Sequence, residues 1–75
     1  MKIEEALQDM FDLMANQQVK IEIEGEVNHV DGTLCIWNRR KQYYDVVAEA
    51  FETGTFDECL IELVSQMQAK EEADG

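Results

Sequence analysis

The chain has 75 residues, with 17 acidic side chains against six basic ones and a net charge of −11 at pH 7. So short a chain forms one domain with little room for an enclosed active site, because a core of this size buries only about 60% of the surface its unfolded chain exposes. The charge excludes direct binding to nucleic acid or to an anionic membrane, both of which need a cationic footprint, while the 45% hydrophobic content is that of a folded chain.

Residues 3–15 place Ile3, Ala6, Leu7, Met10, Phe11 and Met14 at the i, i+3, i+4, i+7 spacing of one helical face, and Asn16 stands where that helix should end. From Val19 the period changes to two. The stretch KIEIEGEVNHVDGTLCIW, Lys20 to Trp37, reads as an antiparallel hairpin turning at Asp31-Gly32, so that Val30 faces Thr33, Val27 faces Ile36 and Glu26 faces Trp37. Val19, Ile21, Ile23, Val27, Leu34 and Ile36 then share the buried face, and Glu22, Glu24, Glu26, Cys35 and Trp37 the open one. Gly25 interrupts the inner row and is a candidate bulge, which would shift this pairing by one residue.

Asn38-Arg39-Arg40-Lys41 either continues the second strand, with Arg39 opposite Glu24 and Lys41 opposite Glu22, or turns into the next element. Residues 42–53 read as a second helix presenting Tyr44, Val47, Ala48 and Phe51 on one face and stopping at Gly54. Thr55-Phe56-Asp57-Glu58 is a capping box, and it opens a third helix with Phe56, Leu60, Leu63, Val64 and Met67 inward, running to about Gln68. The closing KEEADG should fray, leaving residues 71–75 as an acidic tail on a domain of residues 1–70. These elements make an α+β fold, a small two-layer domain in the order α-β-β-α-α, with a short third strand near residues 38–43 as a variant.

Chemistry-bearing motifs are scarce. Cys35, Cys59 and His29 are three candidate ligands, short of the four a structural zinc needs, and the two thiols lie in different elements and form no disulfide framework. The only base for either thiol is His29, expected near the hairpin turn, so both cysteines read as small apolar residues and no enzyme is expected. The glycines at 25, 32, 54 and 75 are isolated and build no phosphate loop, and acid pairs such as Glu4-Glu5 lack the pattern of a calcium loop, so no cofactor is expected either. The acidic N-terminus departs from a signal peptide and no apolar run approaches the roughly 18 residues of a membrane span, which points to the cytoplasm.

Charge is unevenly distributed. No lysine or arginine occurs from Gln42 through Ala69, whereas Asp45, Glu49, Glu52, Asp57, Glu58 and Glu62 all do. In a helix, Asp45, Glu49 and Glu52 would form one acidic stripe, and Glu5, Asp9 and Asp12 repeat that spacing in the first helix. Each like-charge pair costs on the order of 0.2–0.5 kcal/mol there, a cost that folding alone does not explain. Carboxylates four residues apart in a helix lie about 6 Å apart along the axis, and alternate strand residues such as Glu22 and Glu24 about 6.6 Å. Both spacings are comparable to that of successive phosphates along a nucleic-acid strand.

The opening helix, the strand VKIEIEG, the DG turn and a segment ending AFETG before an acidic helix resemble the layout of small acidic inhibitors made by phages and mobile elements. These are the DNA-mimic anti-restriction and anti-CRISPR proteins, among them type II anti-CRISPR proteins that occupy the DNA-binding surface of their nuclease. The resemblance implies a non-enzymatic inhibitor acting in the host cytoplasm, whose carboxylates meet the arginines and lysines of a basic protein such as a nucleic-acid-binding enzyme. The residues expected to carry that contact are Glu22, Glu24, Glu26, Asp31, Trp37, Asp45, Glu49 and Glu52, with Trp37 or Tyr43 as an apolar anchor. Arg39-Arg40-Lys41 departs from a uniformly acidic mimic and would bound the interface. The alternative is an interaction module or homodimer that uses the open sheet face and Trp37, its acids serving solubility.

Overall fold

A computed structural model describes residues 1–74, with side chains described through Lys70. The apolar spacing of the N-terminal segment winds Ile3–Met14 into helix α1, whose first turn carries Glu4 and Glu5 at the positive end of the helix dipole. The chain then lays down three strands, β1 (Val19–Glu26), β2 (His29–Asn38) and β3 (Tyr43–Thr53), and closes with helix α2 (Phe56–Asp74). The strands form one antiparallel sheet in the order β1-β2-β3. Ala6, Met10 and Leu13 of α1, Val30 and Leu34 of β2, Ala48 and Ala50 of β3, and Cys59, Leu60, Leu63, Val64 and Met67 of α2 form a core between the helices and one sheet face. The fold is α+β in two layers, as the sequence pattern indicates.

The order of elements is α-β-β-β-α, because residues 42–53 are a strand and not a helix. Tyr43-Tyr44 and Val46-Val47 are aromatic and β-branched pairs that favour a pleated surface. Two register shifts disguise that strand. Leu34 pairs with Ala48 but Cys35 with Val46, which leaves Val47 as an extra residue, and a second irregularity sets Phe51 and Glu52 against Asp31. These bulges break the period of two, and the resulting spacing of Tyr44, Val47, Ala48 and Phe51 imitates a helical face. The real alternation puts Ala48 and Ala50 inward, where they are 3% and 2% exposed, and leaves Phe51 64% exposed on the other side.

The hairpin turns at Val27-Asn28, not at Asp31-Gly32. Glu26 pairs with His29 and Val19 with Ile36 in an unbroken ladder that sets Gly25 opposite Val30 with no bulge, and Asn28 takes the left-handed conformation at φ 63° that the turn requires. Val27 leaves the expected inner row and stands 90% exposed at the tip. Gly32 sits inside β2 with no positive φ. It is there for clearance: a Cβ at this position would lie 2.5 Å from Cys59 Sγ and 3.1 Å from Leu63 Cδ1. Moving the turn by an even number of residues keeps the side chains other than Val27 on their expected faces, and Val19, Ile21 and Ile23 now line up with Ile36, Leu34 and Gly32.

Arg39, Arg40 and Lys41 belong to the turn between β2 and β3 and oppose neither Glu24 nor Glu22. Asn38 builds that turn, its side-chain oxygen accepting the Arg40 and Lys41 backbone N–H groups at 3.0 and 3.1 Å and its carbonyl accepting that of Gln42, which stands at φ 61°. The capping box forms as expected: the Glu58 N–H donates to the Thr55 hydroxyl at 3.1 Å, while the Glu58 carboxylate accepts from the backbone of Gly54. The backbone of α2 continues helical to Asp74, into the segment expected to fray; Gly75 lies outside the described residues.

Candidate functional site: the open face of the sheet

Side chains that alternate away from the helices meet on the open face. From β1 come Lys20, Glu22, Glu24 and Glu26; from β2, Asp31, Thr33, Cys35 and Trp37; from β3, Tyr44, Val46, Glu49 and Phe51. The face is polarised along the strands. At the end beside the β2–β3 turn, Trp37 and Tyr44 pack edge to face with ring centroids 5.1 Å apart, and the Lys20 ammonium lies 5.5 Å from the Tyr44 ring. The Gln18 amide donates to the Tyr44 hydroxyl at 2.9 Å, which fixes that ring. Arg39, Arg40 and Lys41 border the same end.

Toward the opposite end the face becomes acidic. Glu22 pairs across to Thr33 and Thr33 to Glu49, forming one row, and Glu24 pairs to Asp31, forming the next. Glu22, Glu24, Asp31, Thr33 and Phe51 line one shallow recess. Neighbouring strands stand about 4.8 Å apart and alternate residues about 6.6 Å, so four carboxylates project within roughly 15 Å of one another. Among the described residues the ion pairs are few: Lys20 with Glu22 at 2.9 Å and His29 with Asp31 at 3.3 Å. The Glu22 carboxylate, accepting from Lys20, raises the ammonium pKa above its ordinary value.

Asp31 has a structural task as well. Its Oδ1 accepts the backbone N–H of Glu52 at 2.8 Å and thereby holds Glu52 in the left-handed conformation, φ 56°, at the bulged end of β3. That bond, assisted by His29, holds the Asp31 carboxyl below the usual carboxylate range. A depressed native pKa contributes stability that is present above the ordinary carboxylate pKa and is lost as pH falls through the native value. Asp31→Asn should therefore melt at a lower temperature than the wild type near neutral pH, with the gap closing below the ordinary carboxylate range; thermal melts across an acid series check this.

The structure separates the expected site residues. Glu22, Glu24, Glu26, Asp31 and Trp37 share the open face. The stripe of Asp45, Glu49 and Glu52 dissolves with the helix that carried it: Glu49 stands on the open face opposite Thr33, Glu52 is turned at the strand end, and Asp45 pairs with Ile36 on the helix side and accepts from the Asn38 amide at 2.8 Å. Tyr43, expected as the alternative to Trp37 for an apolar anchor, alternates away from Trp37, and Tyr44 packs against Trp37 instead. Tyr44, Val46 and Phe51 were hidden by the helical reading, although their β-branched and aromatic company signals a strand. Of the acids expected along α1, Glu5 and Asp12 are exposed, while Asp9 is half-buried and accepts from Gln68 of α2, joining the helices.

Thiol chemistry finds no support in the geometry. His29 and Cys35 lie six residues apart on β2, about 20 Å along the strand. Cys59 is buried under Gly32, and burial pushes its thiol pKa up, away from the reactive thiolate. No group of three or more His, Cys, Asp or Glu side chains suited to a metal ion occurs among the described residues, and no helix there is long and apolar enough to cross a membrane. The chain matches no family model, no curated protein and no solved structure.

Proposed function

We propose that the chain is a non-enzymatic acidic inhibitor that covers the basic, nucleic-acid-binding surface of a partner protein such as a CRISPR nuclease or another DNA-processing enzyme in the host cytoplasm. The observation that supports this reading is the outward set of Glu22, Glu24, Asp31 and Glu49 on one sheet face, with Lys20 and His29 as their ion-pair partners among the described residues. The ladder fixes the backbone that carries these carboxylates, so contact with a complementary array of Arg and Lys orders their side chains alone. Steering by the net charge of −11 makes association fast and weaker as salt is added. The test is competition: duplex DNA should displace the chain from its partner, and reversal of the acids should abolish binding.

A second reading has its own observation. The Trp37–Tyr44 pair forms an aromatic anchor at the less acidic end of the face, next to half-exposed Val46. On this reading the chain is an interaction module that engages an apolar site without competing with nucleic acid. Trp37→Ala then abolishes partner binding, whereas reversal of the acids leaves it intact. The two variants measured on one partner separate the readings.

A further inference from the structure

The two edges of the sheet differ. On β3, Gln66 of α2 donates to and accepts from the backbone of Glu49, at 2.7 and 3.1 Å, and Lys70 donates to the Val47 carbonyl at 2.7 Å, so side chains occupy that edge. On β1, the Trp37 N–H donates to the Gln18 carbonyl at 2.9 Å, which makes the even-numbered positions the hydrogen-bonded pairs of the ladder with β2. The N–H and C=O groups of Val19, Ile21 and Ile23 therefore point away from the sheet. No described side chain caps them.

Beside this edge runs an apolar groove of about 380 Å³ between α1, β1 and the start of α2. Leu7, Phe11, Met14, Ile21 and Phe56 line it and stand 44%, 67%, 54%, 37% and 56% exposed. Of the expected helical face of α1, Ala6 and Met10 enter the core, joined by Leu13 from outside that face, while Leu7, Phe11 and Met14 face the groove. Together the five side chains expose on the order of 500 Å², comparable to the largest apolar patch of a monomer and most of the roughly 800 Å² per partner that a standard interface buries.

We infer that this chain forms a two-fold dimer in which the β1 strands of two copies pair antiparallel, joining the sheets into one of six strands and closing the two α1 grooves on each other. A two-fold contact must be self-complementary, and the β1 sequence meets that condition in one register. With Ile21 opposite Ile21 of the second copy, Val19 faces Ile23, Lys20 faces Glu22 and Gln18 faces Glu24, each twice. No carboxylate then opposes a carboxylate. Ile21 pairing with itself also uses the outward-pointing N–H and C=O groups, as an edge ladder requires. A basic segment of another protein has no matching feature here, because Lys20 lies within the contact.

This inference goes beyond the open-face reading and rests on the β1 edge and the α1 groove, with Glu22 and Glu24 of the open face at its border. Its salt dependence has the opposite sign: each copy carries −11, so screening strengthens the apolar dimer while it weakens an acidic face on a basic partner. Sedimentation equilibrium of the full chain should give a dimer whose population rises with sodium chloride, and Phe11→Asp, at a position already 67% exposed, should return the monomer with its circular dichroism unchanged. The register has a separate check. Lys20→Glu and Glu22→Lys should each weaken self-association several-fold at low salt, and an equimolar mixture should recover it, since both cross-strand pairs are restored in the heterodimer. A wild type that stays monomeric at every salt and protein concentration, or a dimer that persists in Phe11→Asp, overturns the interface; a mixture that associates no better than either variant overturns the register.

Discussion

Gly32→Ala destabilises the fold by about 1–3 kcal/mol, and Cys59→Ala in the same chain recovers part of that loss. The added Cβ would sit 2.5 Å from Cys59 Sγ, closer than real contacts allow, and 3.1 Å from Leu63 Cδ1. Both neighbours are fully buried, so neither swings into solvent to make room. Because Gly32 has no positive φ, the methyl group meets packing and not backbone strain. Each 1 kcal/mol corresponds to roughly 4–8 °C in melting temperature for a domain of this size. A double-mutant cycle by thermal or urea unfolding reads the coupling between positions 32 and 59. If Gly32 were instead the second residue of a tight turn, Gly32→Ala would strain that turn and Cys59→Ala would leave the loss unchanged.

The second large effect concerns binding. Glu24→Lys, Glu26→Lys and Glu49→Lys together should lower affinity for the basic partner on the order of 100-fold or more, since each reversal replaces an attraction by a repulsion worth about 1 kcal/mol at a partly desolvated contact. All three side chains are exposed strand residues, so the variant should keep its fold. Glu22 is left untouched because it bonds Lys20. A control variant, Asp45→Asn, should bind as the wild type does, for Asp45 lies on the helix side of the sheet, hydrogen-bonded to Asn38. Isothermal titration at two salt concentrations measures both.

Much of this architecture was legible in the chain, for identifiable reasons. The helical spacing in residues 3–14 and the capping box at Thr55–Glu58 are local signals that tertiary packing did not overrule. The alternation of Glu22 and Glu24 with Ile21 and Ile23 likewise fixed which acids face outward, and it did so even with the turn misplaced. What misled was a signal with two physical uses. Asp-Gly suits a tight turn, but here Asp31 bridges to Glu52 and Gly32 yields space to Cys59. The bulges of β3 likewise give a strand the spacing of a helix, so the helical stripe of Asp45, Glu49 and Glu52 has no counterpart in the fold. Trp37 was found from its strand position, whereas Tyr44 and Phe51 on the same face required β3 to be known. The groove beside α1 was not visible either, because periodicity shows that a face is apolar and not whether another element covers it.

The most direct test of an acidic sheet face that competes with nucleic acid is capture from a bacterial lysate on the immobilised wild-type chain and, in parallel, on the Glu24→Lys, Glu26→Lys, Glu49→Lys variant, with elution by duplex DNA and identification of the eluted proteins by mass spectrometry. A nucleic-acid enzyme should be released by DNA from the wild type and be missing from the variant. A partner held equally by both chains and indifferent to DNA would contradict it.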